Sequence, residues 1–276
     1  LIYNMRASVD HFAPIFIDQE GGRVQRLKEP VWRKAPTSAS FGKIFKVNEE
    51  LASQLVFQNA RLIAEELQVL GIDVNCAPVL DLFEGNDNCI IGDRAFSSDP
   101  RATSILGKSF VKGLESGGVA PVVKHIPGHG RAEVDSHLAL PKIEAEPTIM
   151  KKSDFIPFVD LNDSLAAMTG HLLFDKIDSI KPVTISPDII SHIIREYIGF
   201  QGLLISDDIS MAALTGDLSL IAKNVLSAGC DIILHCNGNL SEMKKIVEQN
   251  QEFGVLAKKR MDEFVINLTK LKKQKK

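Results

Sequence analysis

The chain has 276 residues, 45% of them hydrophobic and 24% charged, with a net charge of −3 and a pI near 6.2. That length suits one α/β barrel domain spanning residues 1–276, and the near-neutral charge argues against a nucleic-acid partner. No apolar run approaches the ~18 residues a membrane helix needs, and Cys76, Cys89, Cys230 and Cys236 form no C-x-x-C pair, which predicts free thiols in a reducing, cytoplasmic compartment.

The chain opens on Leu1 rather than Met, and Leu1 to Met5 reads as the last turns of a helix. Pro14 to Ile17 is a short apolar run ending at Asp18. Leu51, Leu55, Leu62, Ile63 and Leu70 recur at helical spacing across Glu49 to Leu70, with Gly71 as the stop. Asp73 to Leu80 reads as a strand. Asp99-Pro100 supplies an N-cap and a first-turn proline for a helix whose apolar side is Leu106, Phe110 and Leu114.

The strand Val119 to Val123 then runs into Lys124-His125-Ile126-Pro127-Gly128-His129-Gly130, read as a loop. A short helical region near Asp154–Leu161 and a strand at Ala166 to Thr169 follow. Ser186-Pro187 caps a helix bearing Ile190, Ile193, Ile194 and Tyr197. Leu203 to Ile205 is a strand, Leu218 to Leu226 a helix, and Asp231 to Leu234 the sixth strand; two helical stretches finish the chain, with Lys270 to Lys276 as a solvated end.

Strict alternation of strand and helix argues for a parallel sheet. Polar residues gather after nearly every strand: Asp18, Asp81, Lys124-His125, His171, Asp207-Asp208 and His235. In a barrel of parallel strands these positions converge on one mouth. A doubly wound sheet would share that trait, but Gly21-Gly22 lacks the Gly-x-Gly-x-x-Gly spacing. The predicted fold is therefore a (β/α)8 TIM-type barrel, with six strands present and two βα units expected upstream.

Several strings carry chemistry. A lysine directly after a buried strand, Lys124, needs a partner or a ligand. Asp135-Ser136-His137 pairs a carboxylate with an imidazole, as a general acid/base is built. His129, between two glycines, reads as a loop brace, and His171 as a satisfied core histidine. In Ser206-Asp207-Asp208 alternation allows only one carboxylate to face a site, and Ser210 makes Asp208 the better cap. His125, His129 and His137 with Asp207 are zinc-type ligands. However, His-x-x-x-His across a Pro-Gly turn is not a helix face, and Lys124 would repel a cation. No metal and no cofactor are expected.

Together the strings resemble glycoside hydrolase family 3, and within it the bacterial β-N-acetylglucosaminidases of peptidoglycan recycling. They are Ile17 to Val24 (IDQEGGRV), Ala77 to Asp81 (APVLD), Gly92 to Phe96 (GDRAF), Lys124 to Gly130 (KHIPGHG), Asp135 to His137 (DSH) and Ser206 to Met211 (SDDISM), in the family's order. Ile126 stands where the family usually has Phe. The resemblance implies that Asp207 is the nucleophile and His137 the acid/base with Asp135 as its partner. Asp18, Arg26, Arg94, Lys124 and His125 would hold the sugar's hydroxyls and N-acetyl group. It further implies a monomer that removes terminal β-GlcNAc from muropeptides by a retaining, exo-acting mechanism. The alternatives are a phosphorylase on the same scaffold, since histidine would not repel an incoming phosphate as a carboxylate would, and a non-catalytic sugar-binding fragment.

Overall fold

A computed structural model describes residues 1–83, 90–136, 138–249 and 254–274. Its centre is a curled sheet of six parallel strands whose spatial order is their chain order: β1 (Phe16–Ile17), β2 (Val74–Asn75), β3 (Ala120–Ile126), β4 (Ala166–Thr169), β5 (Leu203–Asp208) and β6 (Ile232–Leu234). Each step between neighbours is a right-sized βα excursion, so the sheet coils as a TIM-type barrel wall does. All six expected strands are present.

Their bounds differ from the expectation in instructive ways. The segment Asp73 to Leu80 is a ladder only at Val74–Asn75. Pro78 has no N–H to give, and pairing resumes only as a single bridge between Val79 and Lys124. β3 runs on to Ile126, so Lys124 and His125 belong to a buried strand and not to the loop after it. β5 likewise continues through both aspartates.

Helix caps follow the sequence closely. Asn48 accepts the Leu51 N–H to start Glu49–Leu70, and Asp99 accepts the Arg101 N–H to start Pro100–Ser116. Asp217 accepts from Ser219 and Leu220 to start Leu218–Ala228. Ser186 Oγ accepts the Ile189 N–H ahead of Ile189–Tyr197, whose hydrogen bonds are π-type. The buried face of Glu49–Leu70 is not the leucine face: Leu51, Leu55 and Leu62 are exposed, while Ala52, Val56, Ala60, Ile63, Ala64 and Leu67 are buried. The reason is the partner helix, whose Gly113 and Gly117 come so close that only small residues fit opposite them.

The outer face of the sheet packs Val123, Ala167 and Leu204 against Phe158, Ile194 and Val225 of the surrounding helices. The inner face is different. Val74, Ala120, Val122, Ala166, Met168, Leu203 and Ile205 pack on Phe264 and Leu268 of the helix Val255–Gln274. Burying two such side chains is worth about 1.5–3 kcal/mol each. Ion pairs fasten this helix at the amino ends of the strands: Arg260 Nη1 to Asp231 Oδ1 at 2.9 Å, and Lys272 to Asp73. Lys272 is thus a pinned residue in a tail expected to be solvated. Stability concentrates at this end, and the carboxyl ends are left for the site.

Candidate active site

Across the carboxyl ends lies a cavity of about 320 Å³ lined by Asp18, Arg26, Arg94, Lys124, His125, Asp135 and Asp207. These are all the candidate residues but one; His137 lies outside the described residues. The cavity grows directly out of the sheet register. Lys124, Met168 and Ile205 stand in one row of the inner face, so Lys124 is the polar top of an otherwise apolar stack. Asp207 follows Ile205 on the same face by the strand period of two.

Lys124 is only 3% exposed. Burial alone would discharge it, but its Nζ sits 2.7 Å from Glu20 Oε1 and 3.0 Å from Asp18 Oδ1. These two carboxylates outweigh burial and hold the ammonium above the usual lysine range. Glu20 in turn accepts two bonds from Arg94, Nε and Nη2 each at 2.9 Å, the forked geometry that favours arginine. Asp18 Oδ2 accepts from Arg26 Nη2 at 2.9 Å. The result is a chain of five alternating charges, Arg26, Asp18, Lys124, Glu20 and Arg94. Burial pushes both carboxylates up, and the neighbouring cations overcome it and hold them low. Glu20 was not singled out in the sequence; its position two residues beyond a strand-end aspartate was the available signal.

Asp207 and Asp208 both line the cavity, although alternation allowed one. Pairing between β5 and β6 slips between Ile232 and Leu234, so the alternation lapses at the last strand residue. Their partners nevertheless separate them. Asp208 Oδ1 accepts the Ser210 N–H at 2.9 Å and the Cys236 N–H at 3.1 Å, so it braces a turn and does not cap a helix as the sequence suggested: the next helix begins only at Leu218. Asp207 accepts only the Asp208 N–H among the described residues, at 2.8 Å. Burial raises the Asp207 carboxyl, but His125, His171, that N–H and Lys124 outweigh it and hold the group ionised. It is an anion facing an open cavity. Behind it, His171 Nε2 donates to the Asp208 carbonyl at 2.9 Å while Nδ1 lies 2.8 Å from Thr184 Oγ1; this is the satisfied core histidine expected.

Asp135 reaches the cavity from the loop after β3. The Ala213 N–H donates to the Ser136 carbonyl at 3.0 Å, tying that loop to the segment after Asp207. Gly130 is required there, because a Cβ at that position would stand 2.1 Å from the Leu82 carbonyl oxygen. His129 braces the loop as expected. Its N–H donates to Asp81 Oδ1 at 2.7 Å and its ring meets His125 edge-on, with centroids 5.5 Å apart.

Burial, helped by His125, pushes the His129 imidazole down to about 4. The unfolded chain therefore binds more protons than the native one between about pH 4 and 6.5. Stability from this neutral ring is complete above pH 6.5 and is lost as pH falls towards 4. Melting temperature is expected to drop across that interval, and His129→Gln to flatten the drop. An unchanged slope in His129→Gln would show that the ring does not carry it.

The chain is similar to known proteins of one family. The family model described as "Glycosyl hydrolase family 3 N terminal domain" matches residues 5–271. A beta-hexosaminidase of Hydrogenovibrio crunogenus is 38% identical over 251 residues, covering 90% of this chain and 70% of the relative. One from Methylobacillus flagellatus is 40% identical over 227 residues, covering 81% of this chain and 64% of the relative. Among solved structures, NagZ from Neisseria gonorrhoeae in complex with N-trifluoroacetyl-D-glucosamine superposes with a TM-score of 0.81 at 30% identity. That match covers 100% of this chain and 86% of the other. A glycoside hydrolase family 3 beta-N-acetylglucosaminidase from a Paenibacillus also gives 0.81 at 30% identity, covering 98% of this chain and 52% of the other.

Proposed function

Because the chain belongs to glycosyl hydrolase family 3, whose N-terminal domain it matches over residues 5–271, we propose that it hydrolyses terminal β-N-acetylglucosamine from carbohydrate chains. The observation that carries this reading is an ionised carboxylate, Asp207, facing a cavity walled by the Arg26–Asp18–Lys124–Glu20–Arg94 charge chain. Sugars are neutral polyols, and a lattice of fixed donors and acceptors is what orients them without a counter-charge. The names of the relatives, beta-hexosaminidase and NagZ, support the same class.

The reaction runs in two displacements. Asp207 attacks the anomeric carbon, and the bond to the leaving oxygen breaks as His137 delivers a proton to it. Asp135 holds the imidazole for that transfer. Water then attacks the glycosyl-enzyme, giving its proton to His137, and Asp207 departs with net retention. An imidazole titrates near neutral pH without needing the burial that a carboxylic acid would. Muropeptides are the substrate class that the sequence resemblance favours. A monomer in the cytoplasm fits that role, and the unpaired Cys76, Cys230 and Cys236 support a reducing compartment. Among the described residues no helix is long and apolar enough to cross a membrane.

The wild-type protein is expected to release GlcNAc from 4-nitrophenyl β-GlcNAc and from a GlcNAc disaccharide, with or without phosphate. His137→Ala is expected to lose about 10²–10⁴-fold on the disaccharide and far less on the aryl glycoside, whose leaving group needs no proton. GlcNAc-1-phosphate as the product would make the protein a phosphorylase. Sugar binding without turnover would make it a binding module.

A further inference from the structure

Asp81 follows β2 and is 1% exposed. Nothing in the hydrolytic scheme uses it, yet three donors from one short segment converge on its carboxylate. His125 Nδ1 lies 2.6 Å from Oδ2. The backbone N–H groups of His125 and His129 donate to Oδ1 at 3.2 Å and 2.7 Å. Burial raises this carboxyl, and the His125 ring with the His129 N–H outweighs it, so the group stays ionised.

An ionised carboxylate can only accept. The proton between it and His125 must therefore sit on Nδ1, and Nε2 is the ring nitrogen left for the cavity that His125 lines. The edge-on His129 ring blocks one direction of swing. We infer that Asp81 is the positioning residue for His125, fixing both its orientation and its tautomer so that Nε2 is presented to the sugar. In the Nδ1–H tautomer Nε2 offers a lone pair and accepts a hydroxyl; in the opposite tautomer it could only donate. That His125 meets a sugar rests on the glycosidase reading, whereas the tautomer does not.

Asparagine at 81 separates this role from simple bracing of the turn. Its single oxygen can still take the two backbone N–H groups, so its NH₂ is left facing Nδ1. Two donors cannot face each other, and the imidazole proton must move to Nε2. In protein labelled with ¹⁵N-histidine, His125 is expected to show an Nδ1–H in wild type and an Nε2–H in Asp81→Asn. Asp81→Glu, which keeps a carboxylate, is expected to restore Nδ1–H. His125→Gln assigns the signal. On 4-nitrophenyl β-GlcNAc, Asp81→Asn is expected to lower kcat/KM by about 10²-fold, the cost of one misplaced site contact. Adding it to His125→Gln is expected to cost little more than His125→Gln alone, since the two act through one ring.

An unchanged tautomer in Asp81→Asn, or losses that multiply in the double variant, would overturn the assignment and leave Asp81 as a brace for the turn. A tautomer switch in a protein that turns over no β-GlcNAc substrate would keep the positioning role and remove the glycosidase reading instead.

Discussion

Asp207→Asn is expected to reduce turnover of 4-nitrophenyl β-GlcNAc on the order of 10⁴-fold or more, with the melting temperature unchanged within a few degrees. In the proposed mechanism this substitution removes the nucleophile, and with it the covalent path itself and not merely a contact, which sets the size of the loss. Its neighbour supplies the control. Asp208 is committed to the Ser210 N–H, the Ser210 hydroxyl and the Cys236 N–H, and Asn can still accept from backbone groups there. Asp208→Asn is expected to lose less than tenfold. A mechanism-based fluoro-sugar followed by peptide mapping checks the pair, since it should label Asp207. A label on Asp208 would reverse the assignment.

The second large effect concerns stability as much as activity. Lys124→Met keeps the length of the side chain and removes its charge, leaving Asp18 and Glu20 to face one another across a buried gap. Removing one partner of a buried ion pair costs about 3–5 kcal/mol. In the wild type both carboxyls are held low by their cations. They contribute stability above their unfolded values, and it is lost only in acid. Without Lys124 the two anions repel, and Arg26 and Arg94 alone hold them less far down, so the variant keeps less of this stability above the unfolded carboxylate values. The gap between the two melting temperatures is thus expected to be full at neutral pH and to narrow as pH falls below about 4. A gap independent of pH would mean that the charge on Lys124 does not carry the effect.

Much of this site was legible before any coordinates. Polar residues after successive strands marked the mouth of the barrel, and Asp18, Arg26, Arg94, Lys124, His125, Asp135 and Asp207 line one cavity. Asp81 stood among the strand-end polar residues without a role, and Glu20 drew no separate notice, because the importance of both is relational. Glu20 matters through Lys124 and Arg94, which are distant in sequence, and Asp81 through two N–H groups 44 and 48 residues away. The end of β3 was misread for a related reason. A lysine and a histidine in a strand look like a loop until their buried partners are known. The leucine stripe of Glu49–Leu70 misled because helical spacing identifies faces but does not rank them. Contact with Gly113 and Gly117 selected the alanine face.

The helix Val255–Gln274 also sets when the inner face of the sheet can be covered. Phe264 stacks 6.3 Å from Phe16, so β1 and this helix meet only after β2 to β6 have all been made. During synthesis the strands leave the ribosome first, with Val122, Met168 and Ile205 facing water along a concave wall. Contacts this distant in sequence close slowly, and an uncovered apolar wall is the kind of surface that chaperones hold. Met168 belongs both to that wall and to the lining of the cavity at the carboxyl ends. The nascent chain therefore carries all six described strands of the sheet before their inner face is covered, and the arrival of one helix covers it.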